Sequence, residues 1–281
     1  MRIKILSDST CDLSQDLLQK HDITLVPLIV VKDGQEYQDG VTITPEEIFA
    51  HVAAGGSLCT TAARSVGYYQ EQFAKYASAY DGVVHINIGS HFSSSYQNAC
   101  LAAEEFNNVL VVDSQNLSTG HGLVVLKAWH LAQTCQSLAE LNAELQTFIP
   151  RVEASFLLDR LDYMVKGGRC SSVMALGANI LNLKPCIEVK DGKMTVVKKY
   201  RGGYAKCLTS YVKDRLDGRD SLDHELLFLT HTPVSGECLE AVRDAIRQYG
   251  GFFRQVEETQ AGCTVSCHCG PGTLGILFVR K

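Results

Sequence analysis

The sequence predicts an α/β fold, and three observations carry that prediction. A strand, polar loop, helix order recurs from the first residues onward. The 281 residues exceed one ordinary compact domain, and a hairpin pattern appears in the second half. The recurring order predicts a mostly parallel sheet covered by helices, with ligands gathering outside the carboxyl ends of its strands. Two domains or one large α/β unit both fit the length, and Pro150 marks the expected boundary between residues 1–150 and 151–281.

The elements follow in order. Residues 2–6 (RIKIL) form an apolar strand that ends at Ser7-Asp8-Ser9-Thr10, and DLSQDLLQKH after it has a helix start and helical periodicity. The run 23–30 (ITLVPLIV) reads as a second strand, and VKDGQEYQDG as a turn-rich hairpin. Thr44-Pro45-Glu46-Glu47 starts a helix with an N-cap and proline at N1. Beyond the loop at Cys59-Thr60-Thr61, an amphipathic stretch over 65–80 precedes the strand 82–88 (GVVHINI). The polar loop 89–97, a helix at ACLAAEEF and the strand NVLVVDS come next. Helices over 117–134 and 137–149 close the first half. The second half opens with SFLLDRLDYMVKGGR, passes through a helix near 175–181 and enters KPCIEVKDGKMTVVKKY, where Asp191-Gly192 between apolar runs signals a hairpin. A helix over 202–217, a strand at 224–232, a helix at 237–250 and a final strand at 274–281 complete the chain.

Composition removes several classes of function. With 26 Lys and Arg against 31 Asp and Glu, the net charge of −5 offers no broad positive field for nucleic acid phosphates. No run of about 18 apolar residues is long enough for a membrane-spanning helix. The N-terminus lacks a signal-peptide pattern, so a cytoplasmic location is expected. In that compartment the 11 cysteines are expected to be reduced thiols serving mainly as small apolar side chains. Cys263, Cys267, His268 and Cys269 have metal-capable side chains but lack the paired spacing of a zinc site, so no metal is expected.

The polar signals lie at strand ends: Ser7 to Thr10, Thr60-Thr61, Ser93-Ser94-Ser95 and Asp113-Ser114. Hydroxyls and free N–H groups at helix starts can bind an anion such as a carboxylate or phosphate. Taken singly, each such loop reads equally as an ordinary helix cap. Lys166-Gly167-Gly168-Arg169 combines a tight turn with a guanidinium able to pair with a carboxylate, or caps a helix before a solvated arginine. His268, just before Gly270-Pro271-Gly272, reads as a polar group on a loop entering a buried strand. Neither a phosphate-binding P-loop nor a nucleophile elbow is present, and no dinucleotide fingerprint follows the first strand.

In order, SDST at 7–10, Thr60-Thr61, GSHFSSSYQNA at 89–99, VVDS at 111–114, LDYMVKGGR at 161–169 and HCGPGTLG at 268–275 resemble the DegV family of bacterial fatty acid-binding proteins that serve fatty acid kinase. The resemblance spans nearly the whole chain. It implies two α/β domains, the first with a mostly parallel sheet flanked by helices and the second with a smaller mixed sheet and helices, and a ligand between them. It implies a non-catalytic lipid carrier with no cofactor, whose ligand is a long-chain fatty acid. The carboxylate would lie at Thr60, Thr61, Ser93, Arg169 and His268. The partner implied is a separate kinase subunit that makes acyl phosphate for phospholipid synthesis, with Arg201 on the kinase- or phosphate-facing surface and transient peripheral membrane contact. The chain departs from the family in having Thr60-Thr61-Ala62-Ala63 for Thr-Ser-Gln-Pro, and His91 and Phe92 where smaller residues are usual, which is expected to narrow the pocket or to alter acyl preference.

Two rival readings remain. One is a hydrolase or transferase with Ser93 or Ser9 as nucleophile and His91 or His268 as base. The other is a regulatory module that binds an anion at the strand ends.

Overall fold

The computed structural model describes residues 1–175, 183–217 and 220–281. Its first half holds a four-stranded, wholly parallel sheet of β1 (Ile3–Asp8), β2 (Thr24–Val26), β6 (Gly82–Asn87) and β7 (Val109–Asp113), in the order β2-β1-β6-β7. The central strand β6 is buried at every position. Its side chains alternate between two cores, as a period of two requires: Val83 joins Leu6, Tyr69 and Phe73 on one face, while Val84 and Ile86 join Ile5 and Val112 on the other. Helices α3 (Val66–Ala77) and α4 (Ser95–Ala103) supply the first face.

A small antiparallel sheet of β3 (Ile29–Lys32), β4 (Gln35–Gln38) and β5 (Thr60–Ala62) stands apart. The expected single strand over 23–30 is therefore two strands in two sheets. The break falls at Pro27, which has no N–H to give to a ladder and whose carbonyl accepts Arg64 Nε at 2.5 Å. Thr60 and Thr61, expected on a loop, lie on β5, with Thr61 opposite Val30.

The second half is built on β8 (Val152–Leu157), β9 (Leu183–Lys190), β10 (Lys193–Arg201), β11 (Leu222–His231), β12 (Gln255–Gln260) and β13 (Leu274–Arg280), in the order β10-β9-β8-β13-β11-β12. Only the β11–β12 pair is parallel. At six strands, this mixed sheet is the larger of the two rather than the smaller. Asp191 and Gly192 link β9 to β10 with φ of 51° and 71°, the left-handed pair that a two-residue hairpin requires. Of the helix expected near 175–181, residues 176–181 lie outside the described residues.

Helix α5 (Ser118–Ala132) is buried along most of its length and packs against both main sheets, which accounts for the apolar run from Leu123 to Leu126 and for the burial of Ser118, Thr119 and His121. Gly122 admits the close approach of the segment after β1: a Cβ there would sit 2.6 Å from the Cys11 carbonyl oxygen. Helices α9 (Tyr204–Leu216) and α10 (Gly236–Tyr249) cover the far face of the mixed sheet. Three further helices flank the first half, α1 (Gln15–Lys20), α2 (Pro45–Ala53) and α6 (Leu138–Phe148). Three short ones complete the second: α7 (Asp162–Gly167), α8 (Ser171–Met174) and α11 (Cys263–Cys269). Helix α11 occupies the segment read as a loop, and it crosses to the first half, where Cys263 and Cys267 pack with Val30, Ile43, Ile48 and Cys59. Among the described residues no helix is long and apolar enough to cross a membrane.

Candidate functional site

A cleft of about 680 Å³, counted to its open mouth, runs between the two halves. Leu28, Ile88, Phe92 and Leu117 line it from the first half, and Met164, Met194 and Val265 from the second. The polar groups among these apolar walls are few: Thr61, Ser93, Ser94, Thr264, Arg169 and His268. A second, smaller pocket between α5 and the mixed sheet shares the lining residues Leu117, Val265 and Cys269 with the first. The hydroxyls around this inner space are engaged elsewhere: Ser155 with Tyr211, Thr230 with Thr119 and Thr259, and Thr232 with the Gly270 carbonyl. It thus offers carbon to a ligand.

Four of the residues expected at the site meet here. Strand β5 turns Thr61 inward, and its Oγ1 lies 2.8 Å from His268 Nε2 on α11. Because neighbouring strand residues face opposite ways, Thr60 is exposed and does not line the cleft. The head-group expectation for that pair narrows to Thr61. Ser93, on the loop between β6 and α4, contacts the Ser95 hydroxyl at 2.9 Å and accepts the Ser95 N–H at 3.2 Å. Arg169 stands exposed at the rim, its guanidinium donating to the Gly167 carbonyl at 2.7 Å and, at 3.4 Å, to that of Phe92.

The two glycines before Arg169 have distinct reasons. Gly168 ends α7 in the left-handed region at φ 66°, a conformation that suits glycine. Gly167 leaves room for the imidazole, since a Cβ there would lie 2.3 Å from His268 Nδ1. Burial, reinforced by the Arg169 charge, pushes the His268 pKa down to about 4, so the ring is neutral at pH 7. A neutral imidazole can donate from Nε2 to Thr61 and leave the Thr61 hydroxyl proton to point into the cleft.

Other strand-end residues are used internally. Ser7, Asp8, Ser9 and Thr10 are buried. Asp8 accepts from Tyr69, Asn87 and the Ile88 N–H, while Ser9 donates to Asp39. Asp113 accepts from the N–H groups of Ser90 and Gln115, and Ser114 bonds the Asn116 carbonyl. These two strand ends brace the fold instead of contributing an anion site. Ser9 Oγ is committed to Asp39 and the Leu28 N–H, and among the described residues no histidine hydrogen-bonds to it. A Ser–His contact does occur at Ser7 and His121, 3.1 Å apart, but both are fully buried. His91 is exposed beside the β9–β10 turn at Gly192, and of the pair 91–92 only Phe92 walls the cleft.

Arg201 is exposed at the end of β10 and does not line the cleft. All eleven cysteines are free, and among the described residues no cluster of three or more His, Cys, Asp or Glu side chains could hold a metal. Sequence reasoning placed no helix at Cys263–Cys269, and Thr264, Val265 and Cys269 of the cleft went unrecognised with it. Met194 could have been found from the inward alternation of β10.

Comparison with known proteins agrees with this architecture. A protein from Caldanaerobacter subterraneus, described as DegV domain-containing, is 34% identical over 284 residues, covering 100% of this chain and 99% of its own. A DegV-family protein from Thermus thermophilus, whose structure is described as showing fatty acid binding, superposes with a TM-score of 0.89 at 30% identity over 100% of both chains. A DegV lipid-binding protein from Thermotoga maritima gives 0.85 at 26% identity, again over 100% of both chains. The family model described as "Uncharacterised protein, DegV family" matches residues 2–281, and the chain therefore belongs to the DegV family.

Proposed function

We propose that this protein carries a long-chain fatty acid, with the acyl chain in the cleft between its halves and the carboxylate at the mouth. The observation that carries the reading is the Thr61–His268 pair, 2.8 Å apart, facing a cleft whose other walls are apolar and whose rim holds Ser93 and Arg169. Thr61 and Ser93 would donate hydroxyl hydrogen bonds to the carboxylate. Arg169 would offset its charge, and neutral His268 would orient the Thr61 hydroxyl. The acyl chain supplies most of the affinity, at roughly 0.8 kcal/mol per buried CH₂, and the head group fixes orientation. The fatty acid-binding relative from Thermus thermophilus supports the same ligand class here.

In this reading the chain is non-catalytic by itself and acts in the cytoplasm as two domains, 1–150 and 151–281. A separate fatty acid kinase subunit phosphorylates the presented carboxylate, yielding acyl phosphate for phospholipid synthesis, and transient membrane contact loads or unloads the lipid. Arg201, exposed and away from the cleft, is the docking or phosphate-facing residue.

The test is mass spectrometry of organic extracts from the natively purified protein, followed by retention of added palmitate. A stoichiometric fatty acid is expected, and Arg169→Ala should impair retention or phosphorylation more than a surface arginine change does. An extract without fatty acid, together with no retention of added palmitate, would sink the reading.

A further inference from the structure

Helix α11 begins at Gly262, which has no side chain to cap it, and its seven residues are too few for a helix to be stable alone. Its first N–H groups are instead taken by two carboxylates from the other half of the chain. Asp12 Oδ1 accepts the Gly262 N–H at 2.9 Å. Asp39 accepts the N–H groups of Cys263 at 2.9 Å and Thr264 at 3.2 Å, and the Thr264 hydroxyl at 2.7 Å. Each carboxylate is itself held, Asp12 by the Ser118 hydroxyl at 2.6 Å and Asp39 by the Ser9 hydroxyl at 2.8 Å. Both acids are buried, and a Cβ on Gly262 would stand 3.0 Å from Asp12 Oδ1, so the fit leaves little slack.

We propose that Asp39 and Asp12 are positioning residues of the head-group site: by gripping the first turn of α11 they set the helix rotation that brings His268 to Thr61. The grip and the site share one short rigid body. Val265, His268 and Cys269 on α11 all line the cleft, and a slip of one residue in the grip would rotate them by about 100° and withdraw His268 from β5. The partner residue Thr61 belongs to the same half as both acids, so the clamp registers one half of the site against the other. An asparagine at position 39 would keep one acceptor oxygen and turn an NH₂ group toward N–H and O–H donors, loosening the grip with little change in volume.

The inference rests on the fatty acid reading, and the experiment separates the two. Full-length wild type and Asp39→Asn are stripped of lipid, and retention of palmitic acid and of methyl palmitate is measured by mass spectrometry. The expected result is at least about a tenfold loss for the acid with less than about a twofold loss for the ester, because the ester carbonyl is a weaker, uncharged acceptor that depends less on the Thr61–His268 pair. Equal losses for acid and ester, or an unchanged preference for the acid, would overturn the proposal. Ser118→Ala, which removes only the outer brace of Asp12, is a milder variant should Asp39→Asn fail to fold, with a smaller shift expected in the same direction. The imidazole ¹⁵N shifts of His268 in the ligand-free protein give an independent readout. They should move in Asp39→Asn toward those of Thr61→Val, and unchanged shifts count against the clamp. Should wild type retain neither lipid, the fatty acid reading fails while these shifts still decide the clamp.

Discussion

At the scale of single residues, Gly167 and His268 show how one position is constrained by another far away in sequence. The imidazole occupies the space where a Cβ on residue 167 would stand, 2.3 Å from Nδ1. Gly167→Ala is expected to displace the ring from Thr61 and to destabilise the fold by about 1–3 kcal/mol, as overpacking of a filled site does. Denaturant unfolding and palmitate affinity should fall together, and a variant with wild-type values of both would contradict the contact. The same histidine predicts a pH dependence. Burial and then the Arg169 charge hold its pKa at about 4 in the folded chain, whereas an unfolded histidine titrates near 6.5. Between these values the unfolded state binds the extra proton, so stability is lost as pH falls from about 6.5 toward 4. Asp12, raised to about 7 by burial and by the neighbouring Asp39, works in the opposite sense over an overlapping range, while His121, lowered to about 4 by burial, adds to the first. The contribution of His268 is therefore isolated as a difference. The melting temperature of wild type relative to His268→Gln should decline on acidification from pH 7 to 4.5, and a constant difference would rule it out.

Among the elements, helix α2 and helix α11 use opposite means of starting. Thr44 accepts the Glu47 N–H while Glu47 accepts that of Thr44, a capping box written within four residues. Thr44→Ala should cost about 1 kcal/mol of stability, read by urea titration, and leave fatty acid retention unchanged because the cap lies outside the cleft lining. Helix α11 has no such local start, only carboxylates delivered by the tertiary fold. Strand β12 is likewise weakly written: QVEETQ is mostly exposed at the sheet edge and shows little of the apolar alternation that marks a half-buried strand.

For the whole molecule, the cleft is made from both halves, so a ligand that fills it binds the assembled fold and not the unfolded chain. Such a ligand stabilises by about 2.7 kcal/mol at one hundred times its Kd. Adding palmitate to lipid-free protein should raise Tm with a logarithmic dependence on free ligand, followed by scanning calorimetry. A Tm indifferent to palmitate would oppose binding between the halves. The buried helix α5 packs into the same core as strands of both main sheets, so it joins the two walls of the cleft.

The α/β class and much of the element order were legible in the sequence because they rest on local physics: alternation and apolar runs for the strands, Thr44-Pro45 for a helix start, Asp191-Gly192 for a hairpin. Ser93, Arg169 and His268 stood out by residue type and by the ordered family motifs around them. The choice of Thr61 over Thr60 depended on strand β5, whose pairing to β3 is a non-local event that no window of sequence contains. The splitting of 23–30 between two sheets depended on where the chain after Pro27 found a partner. Most of all, the helix that carries His268 has no side-chain cap of its own at its N-cap, and its first N–H groups meet Asp12 and Asp39 across more than two hundred residues of chain. Local propensity sets what a segment can form, whereas burial and long-range hydrogen bonding decide what it does form.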